Sequence, residues 1–418
     1  MATPVVKLRA SLGVVERGMG FGMRIGRRMR SGMACALALA LAGCGPSGLG
    51  RGGPAAPLPP PSTAIESSPL TSTGDPNRIG SGPVRIALIA PLTGPNGPSA
   101  LGVSLRNAAE LAVAAFDQAD VTVIVKDDQS SPAGARAAAQ AALADGAELI
   151  AGPLFAANVR EVGAVARMAG KPVIGFSTDA SVAGRGVYLL SFQVEAYVDR
   201  IVDYAAARGK RSMAALIPNT DYGRVAEAAF LTAAARNNIR VMAVERLQPG
   251  AAQKIAGLGP QIDALFIPEQ AEAMASLAPA LASAGIDGKR VQILGTGVWN
   301  DARVLKLPAL QGAWFAAPEN GGYSNFALSY REKFGADPAR VATLAYDAVA
   351  LSVALARQQG SERFTERVLQ GTSGFSGTDG IFRFRPDGQN ERGLSVQMID
   401  NGSTSVISPA PRSFGGAT

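Results

Sequence analysis

The sequence predicts an α/β protein made of two doubly wound, mostly parallel sheets with helices on both faces. Short and nearly continuous apolar runs alternate with helical patterns from Val84 onward, as expected for strands that are buried on both faces. About 335 residues follow Val84, which is more than one hydrophobic core usually supports. The two cysteines, Cys35 and Cys44, both precede this region, so its fold has to rest on an apolar core without disulfides.

The predicted elements begin in the order strand, helix, strand, helix. The apolar runs at residues 84–90 and 121–125 predict strands, and the spacing over residues 103–116 and 133–145 predicts helices. Further strand-like runs, with helices between most of them, lie at residues 149–151, 172–175, 213–217, 240–244, 264–267 and 291–294. Near the end, residues 380–384 and 394–399 flank the turn Pro386-Asp387-Gly388 and predict an antiparallel pair.

Residues 1–43 are typical of a lipoprotein signal peptide. A basic cluster at residues 24–30 precedes an apolar run at residues 33–42 that is too short to span a bilayer as a mature helix. The ending Leu41-Ala42-Gly43-Cys44 resembles the bacterial lipobox, in which the cysteine is acylated. We therefore expect a periplasmic protein that is lipid-anchored through Cys44 to a bacterial membrane, inner or outer. An ordinary signal peptide with a chance cysteine is the alternative.

The segment that follows predicts a disordered tether over residues 44–82. It is rich in Pro, Gly and Ser, includes Pro57-Leu58-Pro59-Pro60-Pro61, and has too few bulky apolar residues to fold. The net charge of +7 is placed unevenly, because residues 1–44 contain seven basic residues and Glu16 and so account for +6. The remaining chain is close to neutral, and we expect no nucleic-acid partner.

Composition and motifs argue against an enzyme. The sequence has no histidine and no cysteine pair after residue 44, which removes the usual zinc ligands and any His-based triad. It also lacks a nucleophile elbow, a phosphate loop and a dinucleotide fingerprint. We expect no catalytic residue, no cofactor and no metal. The adjacent pair Asp127-Asp128 could suggest a metal site, but carboxylates at a strand end usually serve turns.

Several segments together resemble the periplasmic binding proteins of the branched-chain amino-acid (Leu/Ile/Val) type, including the related penicillin-binding-protein activator lipoproteins. The resemblance rests on the order and spacing of residues 86–94, 127–128, 150–153, 171–174, 221–223 and 374–380. It implies the type I fold, in which three crossovers join two lobes around a ligand cleft. By analogy, lobe 1 comprises residues 84–193 plus 318–372, lobe 2 comprises residues 194–317 plus 373–405, and residues 406–418 form a tail.

The candidate site lies in the loops that follow the strands. In open α/β sheets these loops converge at the carboxyl ends of the strands, where helix N-termini favour anions. The candidate ligand-binding residues in these loops are Thr93, Gln129, Leu154, Asn158, Ser177, Thr178, Asp179, Tyr222, Glu269 and Trp299.

Each of several candidates also has a structural interpretation. Ser177, Thr178 and Asp179 could cap the next helix, Tyr222 and Trp299 could pack at the hinge, and Asp221 is expected to be an N-cap. The resemblance also implies differences from amino-acid-binding relatives. Ala156 stands where they have a ligand-binding serine, Asp179 adds a carboxylate, and only Glu269 or Asp301 could pair with a ligand ammonium group.

Two functions follow from the resemblance. The first is a solute-binding protein of the leucine-binding type that captures a small polar ligand, such as an amino acid or related carboxylate, for an ABC transporter permease. The second is a penicillin-binding protein activator that stimulates a peptidoglycan synthase by protein–protein contact. The long tether and the missing amino-acid ligands are compatible with the second function.

Overall fold

The computed structural model describes residues 6–7, 75, 77–117, 120–286, 288 and 290–414. Cys44 and nearly all of the predicted signal peptide and tether lie outside the described residues. Within the described part of the chain, no helix combines the length and the apolar character that crossing a membrane requires.

The strands are numbered in chain order. They are β1 Val6–Lys7, β2 Arg78–Ile79, β3 Val84–Ala90, β4 Thr93–Gly94, β5 Gly97–Pro98, β6 Val121–Asp127, β7 Leu149–Ala151, β8 Val173–Gly175, β9 Val187–Leu189, β10 Ser212–Ile217, β11 Arg240–Arg246, β12 Ala264–Phe266, β13 Gln292–Gly295, β14 Trp314–Ala317, β15 Phe375–Gly377, β16 Gly380–Phe384, β17 Asn390–Arg392, β18 Ser395–Asp400 and β19 Ser403–Ser408.

The α-helices are numbered in the same way. They are α1 Ala100–Ala114, α2 Pro132–Ala144, α3 Ala156–Met168, α4 Val194–Ala207, α5 Asp221–Arg236, α6 Ala251–Ala256, α7 Ala271–Ser283, α8 Ala302–Leu305, α9 Asn320–Phe334, α10 Ala342–Gln358 and α11 Glu366–Leu369. Short 3₁₀ helices lie at Ala180–Val182, Gly259–Gln261, Gly297–Trp299, Pro308–Leu310 and Gly360–Glu362.

The first sheet has the strand order β2-β6-β3-β7-β8-β9, and all its pairs are parallel except β2 with β6. Alternate side chains of β3 enter different cores. Ile86 and Leu88 pack with α1 and α10, whereas Ala87 and Ile89 pack with α2 and α3. Because both faces are covered by helices, the strand sequence is apolar at nearly every position.

The second sheet has the order β11-β10-β12-β13-β14-β18-β19, with parallel pairs up to β14 and antiparallel pairs beyond it. As in the first sheet, alternate side chains of one strand enter different cores. Met213 and Ala215 of β10 pack with α4 and α5, while Ala214 and Leu216 pack with α6 and α7. The predicted doubly wound α/β class is therefore confirmed. The predicted strands agree with the observed ones to within two residues.

The predicted C-terminal strand pair was wrong. Both strands exist, but β16 pairs with β15 and β17 in a separate sheet that also contains β1, whereas β18 joins the second sheet between β14 and β19. The turn at Pro386-Asp387-Gly388 connects β16 to the short strand β17 instead. The chain then passes through Gly393 and Leu394 into β18, so the two apolar runs belong to different sheets.

Three crossovers connect the two halves of the molecule. They lie at residues 190–193, at residues 318–319 and at residues 393–394, where the chain passes between a segment packed in the first core and a helix or strand packed in the second. The crossovers are hydrogen-bonded to segments beside them. Ser191 O accepts from Arg392 Nε at 2.9 Å, and Pro318 O accepts from Gln397 Nε2 at 2.9 Å.

Several predicted segment boundaries differ from those in the structure. The resemblance predicts the third crossover near residue 373, but Phe375, Phe382 and Phe384 are buried in the first core, so this crossover follows β17. The predicted tether extends to residue 82, yet β2 pairs with β6 and Ile79 is buried. The strand β19 continues into the predicted tail.

Candidate ligand-binding cleft and hinge

Asp127 organises the loops at the carboxyl ends of β3 and β6. Its Oδ1 accepts hydrogen bonds from the backbone N–H groups of Leu92 (3.0 Å), Thr93 (3.1 Å) and Gln129 (2.8 Å), and its Oδ2 accepts one from Thr93 Oγ1. Burial raises the pKa of Asp127, but these hydrogen bonds together hold it below the ordinary value. The structure thus brings the candidates Thr93 and Gln129 together around a carboxylate that the sequence analysis assigned only to a turn.

Asn158 is held inside lobe 1 by Asp128. Its Nδ2 donates to Asp128 Oδ2 at 2.8 Å, and the N–H of Ser130 donates to Asp128 Oδ1 at 2.8 Å. Both side chains are buried, and burial raises the pKa of Asp128. The turn interpretation of Asp127 and Asp128 is confirmed, and within the described residues no group of His, Cys, Asp and Glu side chains could hold a metal ion.

Ser177 and Asp179 stabilise the turn and the short helix that follow β8. Asp179 Oδ1 accepts from the N–H of Ser181 at 2.9 Å at the start of a 3₁₀ helix, and Ser177 Oγ accepts from the N–H of Asp179 at 3.1 Å. The capping interpretation is confirmed for Asp179, whereas Ser177 stabilises the turn before the helix. Thr178 and Asp179 are nevertheless exposed at the carboxyl edge of the first sheet, where their side chains remain accessible to a solute.

The loop between β7 and α3 ends in a helix without a side-chain cap. Leu154 packs against the first core, and Phe155, which is 42% exposed, occupies the N-cap position but makes no side-chain hydrogen bond to α3. The first N–H groups of a helix have no intrahelical partner. Ala156 therefore begins a helix whose first turn is not capped by a side chain, at the carboxyl end of a central strand.

In lobe 2, Tyr222 lies beside the loop after β13. Its hydroxyl is 2.6 Å from Thr296 Oγ1, and burial raises the pKa of Tyr222 to about 12, so the phenol is neutral at physiological pH. The predicted N-cap at Asp221 was wrong by one position. Thr220 caps α5 by accepting from the N–H of Gly223 at 3.1 Å, and Asp221 is the first residue of the helix.

Glu269 and Trp299 meet inside lobe 2. The ring of Trp299 is fully buried in the core between the sheet and α7, and its Nε1 donates to the backbone carbonyl of Glu269 at 3.2 Å. Glu269 Oε1 accepts from the N–H of Gln270 at 2.6 Å, and burial raises the pKa of Glu269. These contacts favour the packing interpretation of Trp299 over stacking on a ligand.

A cluster of charged side chains, three of them buried and Arg340 partly exposed, lies beside the crossovers, and no sequence motif indicated it. We call it the hinge cluster and define it as Arg340, Asp347, Asp379 and Arg392. Arg340 binds the fully buried Asp379 through two hydrogen bonds, Nη2 to Oδ1 at 2.6 Å and Nη1 to Oδ2 at 3.1 Å. Its guanidinium group lies 4.6 Å from the ring centroid of Phe192 in the first crossover.

The other two members of the hinge cluster are incompletely paired. Arg392 is 8% exposed, and among the described residues its Nη1 and Nη2 have no hydrogen-bond partner. Asp347 accepts from the N–H of Thr378 at 2.7 Å through Oδ1, while Oδ2 has no such partner in the same part of the chain. Burial, with repulsion from Asp379, raises the pKa of Asp347 to about 6. The sequence does contain one indication of such a cluster, namely charged residues inside apolar runs, such as Asp347 between Tyr346 and Ala348.

A family model for the periplasmic binding protein matches residues 83–404, which include all three crossovers and both sheets except β2 and most of β19. The chain belongs to the periplasmic binding protein family. The recognition made from the sequence and the expected two-lobed fold are confirmed. No curated protein matches the sequence of this family member at a significant level.

Solved structures agree with the fold of this periplasmic binding protein. One, assigned to a branched-chain amino acid ABC transporter of Rhodospirillum rubrum, has a TM-score of 0.67 at 21% identity, with 78% of this chain and 99% of that chain covered. The leucine-binding protein LivK of Thermotoga maritima has a TM-score of 0.55 at 22% identity, with 78% and 98% covered. LivJ of Streptococcus pneumoniae, in complex with isoleucine, has a TM-score of 0.54 at 20% identity, with 78% and 99% covered.

Proposed function

We propose that this protein is an extracytoplasmic solute-binding protein of an ABC importer, anchored to a bacterial membrane through a lipid on Cys44, and that it has no catalytic activity. The ligand is a small carboxylate, such as an amino acid or an aromatic acid, bound between the two lobes. Lobe closure around the ligand would present it to the permease. The ligand favours the closed form only through its higher affinity for that form.

The observation that carries this proposal is the pair of mostly parallel sheets joined by three crossovers, within a family match that covers most of the chain. Such crossovers form a hinge, since few backbone segments have to bend when the lobes move. The candidate loops follow the carboxyl ends of strands in both sheets, which is where ligands bind in open α/β folds.

The start of α3 supports a carboxylate as the ligand group. The serine that the resemblance predicts is absent, but the first turn of α3 has no side-chain cap, and helix N-termini favour anions. The ligands of solved structures in complex share this chemistry, since isoleucine, 3,4-dihydroxybenzoic acid and benzoate each carry a carboxyl group. The exposed Thr178 lies in the neighbouring loop and supplies a hydroxyl group.

A thermal unfolding screen tests the proposal. The protein is heated with a panel of amino acids and with aliphatic and aromatic carboxylates, each at millimolar concentration. A ligand present at about 1,000 times its Kd stabilises the folded state by about 4 kcal/mol, which raises Tm by several degrees. We expect one chemical class to do so.

Ala156→Pro tests the role of α3 in this binding. Proline is tolerated at the first position of a helix and removes one N–H donor, and the extended conformation of Phe155 (φ −83°, ψ 138°) is compatible with a following proline. We expect at least tenfold weaker binding with little change in Tm. Ala302→Pro is the matched control, since it makes the same change at the start of α8, which Asp301 caps. Equal affinities for the two variants would contradict a carboxylate bound at α3.

A second candidate function is activation of a penicillin-binding protein. The observation that favours it is the exposed Asp179 carboxylate, which would repel a carboxylate ligand at the same edge. A screen with no stabilising compound would contradict the solute-binding proposal. Capture of a purified peptidoglycan synthase by the same protein, with faster glycan synthesis, would then establish the second function.

A further inference from the structure

A groove of about 610 Å³ lies at the opposite edge of the first sheet from the proposed cleft. Glu148 immediately precedes β7, Lys171 and Pro172 precede β8, and Arg185 and Gly186 precede β9, and these three strands are adjacent and parallel. The groove is therefore built from the amino ends of the strands, together with residues 361–366 beside α11. We call it the amino-edge groove.

The groove is positively charged. Arg167, Lys171, Arg185 and Arg363 line it, against Glu148 and Glu366. Glu148 is already neutralised, because both its carboxylate oxygens accept from Arg363 Nη2, at 2.9 and 2.8 Å. Arg185 forms an ion pair with Glu366, with Nε 3.7 Å from Oε2. The side chains of Arg167 and Lys171 make no hydrogen bond or ion pair with the described part of the chain, so two positive charges are left over.

The groove also has an apolar floor. Tyr188 and Phe364 are buried beneath it and Pro172 forms part of its wall. A volume of this size is in the range of small-molecule sites, which combine an apolar lining with a few polar groups. The combination of an apolar floor with two unpaired cations suits a ligand that has an apolar body and a doubly charged anionic group.

We propose that the amino-edge groove binds a phosphate monoester with an apolar body, at a second site that is separate from the interlobe cleft. Arg167 and Lys171 hold the phosphate, whose charge near −2 at neutral pH matches theirs, and guanidinium and ammonium groups are the usual partners of phosphate in proteins. The apolar body lies on Phe364 and Pro172. Arg363 is committed to Glu148 and shapes the wall of the groove.

Titration of the full-length protein with phenyl phosphate, followed by calorimetry, tests this site. The test variant is Arg167→Gln with Lys171→Gln, and the matched control is Arg240→Gln with Lys306→Gln, which removes the same two charges from lobe 2. We expect measurable binding by the wild type and the control, at least tenfold weaker binding by the test variant, and weak binding of inorganic phosphate. Equal binding by the test and control variants, or no binding of phenyl phosphate by the wild type at millimolar concentration, would overturn the proposal.

Vesicles distinguish a soluble phosphate ester from a membrane lipid as the natural source. Phosphatidic acid vesicles present the same phosphate monoester on an apolar body, and phosphatidylcholine vesicles are the control for nonspecific adsorption. Phenyl phosphate binding without vesicle binding supports a soluble ester. Binding to phosphatidic acid vesicles that the test variant loses and the control variant keeps supports a lipid headgroup. If both variants bind phosphatidic acid vesicles equally and phenyl phosphate does not bind, the amino-edge groove is not the binding site.

Discussion

Asp347 gives the hinge cluster a measurable pH dependence. Its pKa is about 6, against an ordinary value of 3.8, because burial and the neighbouring Asp379 disfavour the charged form. A pKa difference of one corresponds to about 1.4 kcal/mol, so ionising Asp347 costs about 3 kcal/mol more in the folded protein than in the unfolded chain. The folded protein holds this proton more tightly than the unfolded chain. The stabilisation that comes from protonated Asp347 is therefore fully present below about pH 4, falls as the pH rises, and levels off above about pH 6.

Asp347→Asn removes this titration and keeps an acceptor for the N–H of Thr378. Urea unfolding of the wild type and the variant, followed by circular dichroism between about pH 3 and pH 7, gives the difference in their free energies of unfolding. We expect the wild type to lose about 3 kcal/mol relative to the variant over this range. Asp337→Asn, which changes a surface carboxylate paired with Arg331, is the control and should show no such change. Parallel pH profiles for the wild type and Asp347→Asn would show that Asp347 does not have a raised pKa in the folded protein.

Three further predictions concern the core, the hinge and the anchor. Trp299→Ala removes a fully buried ring and should lower the free energy of unfolding by about 3–5 kcal/mol in urea; a loss below about 1 kcal/mol would place the ring outside the core. Arg340→Gln leaves the buried Asp379 without its two hydrogen bonds and should cost about 3 kcal/mol in the same assay, and a neutral effect would contradict the pairing. Cys44→Ala should move the protein from the membrane to the soluble fraction and abolish incorporation of labelled palmitate; unchanged fractionation would contradict lipid anchoring.

The strands of the two sheets were predictable because each is buried on both faces. Burial of this kind makes nearly every side chain in β3 or β10 apolar, which produces a continuous run that stands out from the helices between them. The end of the chain was less predictable. The residues of β16 and β18 have the alternation of a hairpin, but which strand each one pairs with depends on distant segments, β15 and β14, that local pattern does not specify.

The positions of the loops that carry the candidate residues were predictable, but the contacts of those residues were not. The loops after the strands were identified correctly as polar and close to helix starts, yet the same residue types serve caps and ligands. Asp179 caps a 3₁₀ helix, Ser177 accepts a turn hydrogen bond and Asn158 binds Asp128, and none of these contacts is visible in the sequence. The hinge cluster was missed for a related reason. Arg340 lies just before α10 and Asp347 within it, whereas Asp379 precedes β16 and Arg392 ends β17, and only the tertiary structure brings these three segments together.

Closure of the lobes on a ligand can be measured as a change in the distance between them. The chain has only the cysteines Cys35 and Cys44, so with both replaced by alanine, spin labels can be placed at Arg160→Cys on α3 and Val225→Cys on α5, both exposed. Double electron–electron resonance is recorded without ligand and with the compound that raises Tm most. A solute-binding protein should give a shifted and narrower distance distribution with the compound. Identical distributions in the two samples would contradict closure of the lobes on a ligand.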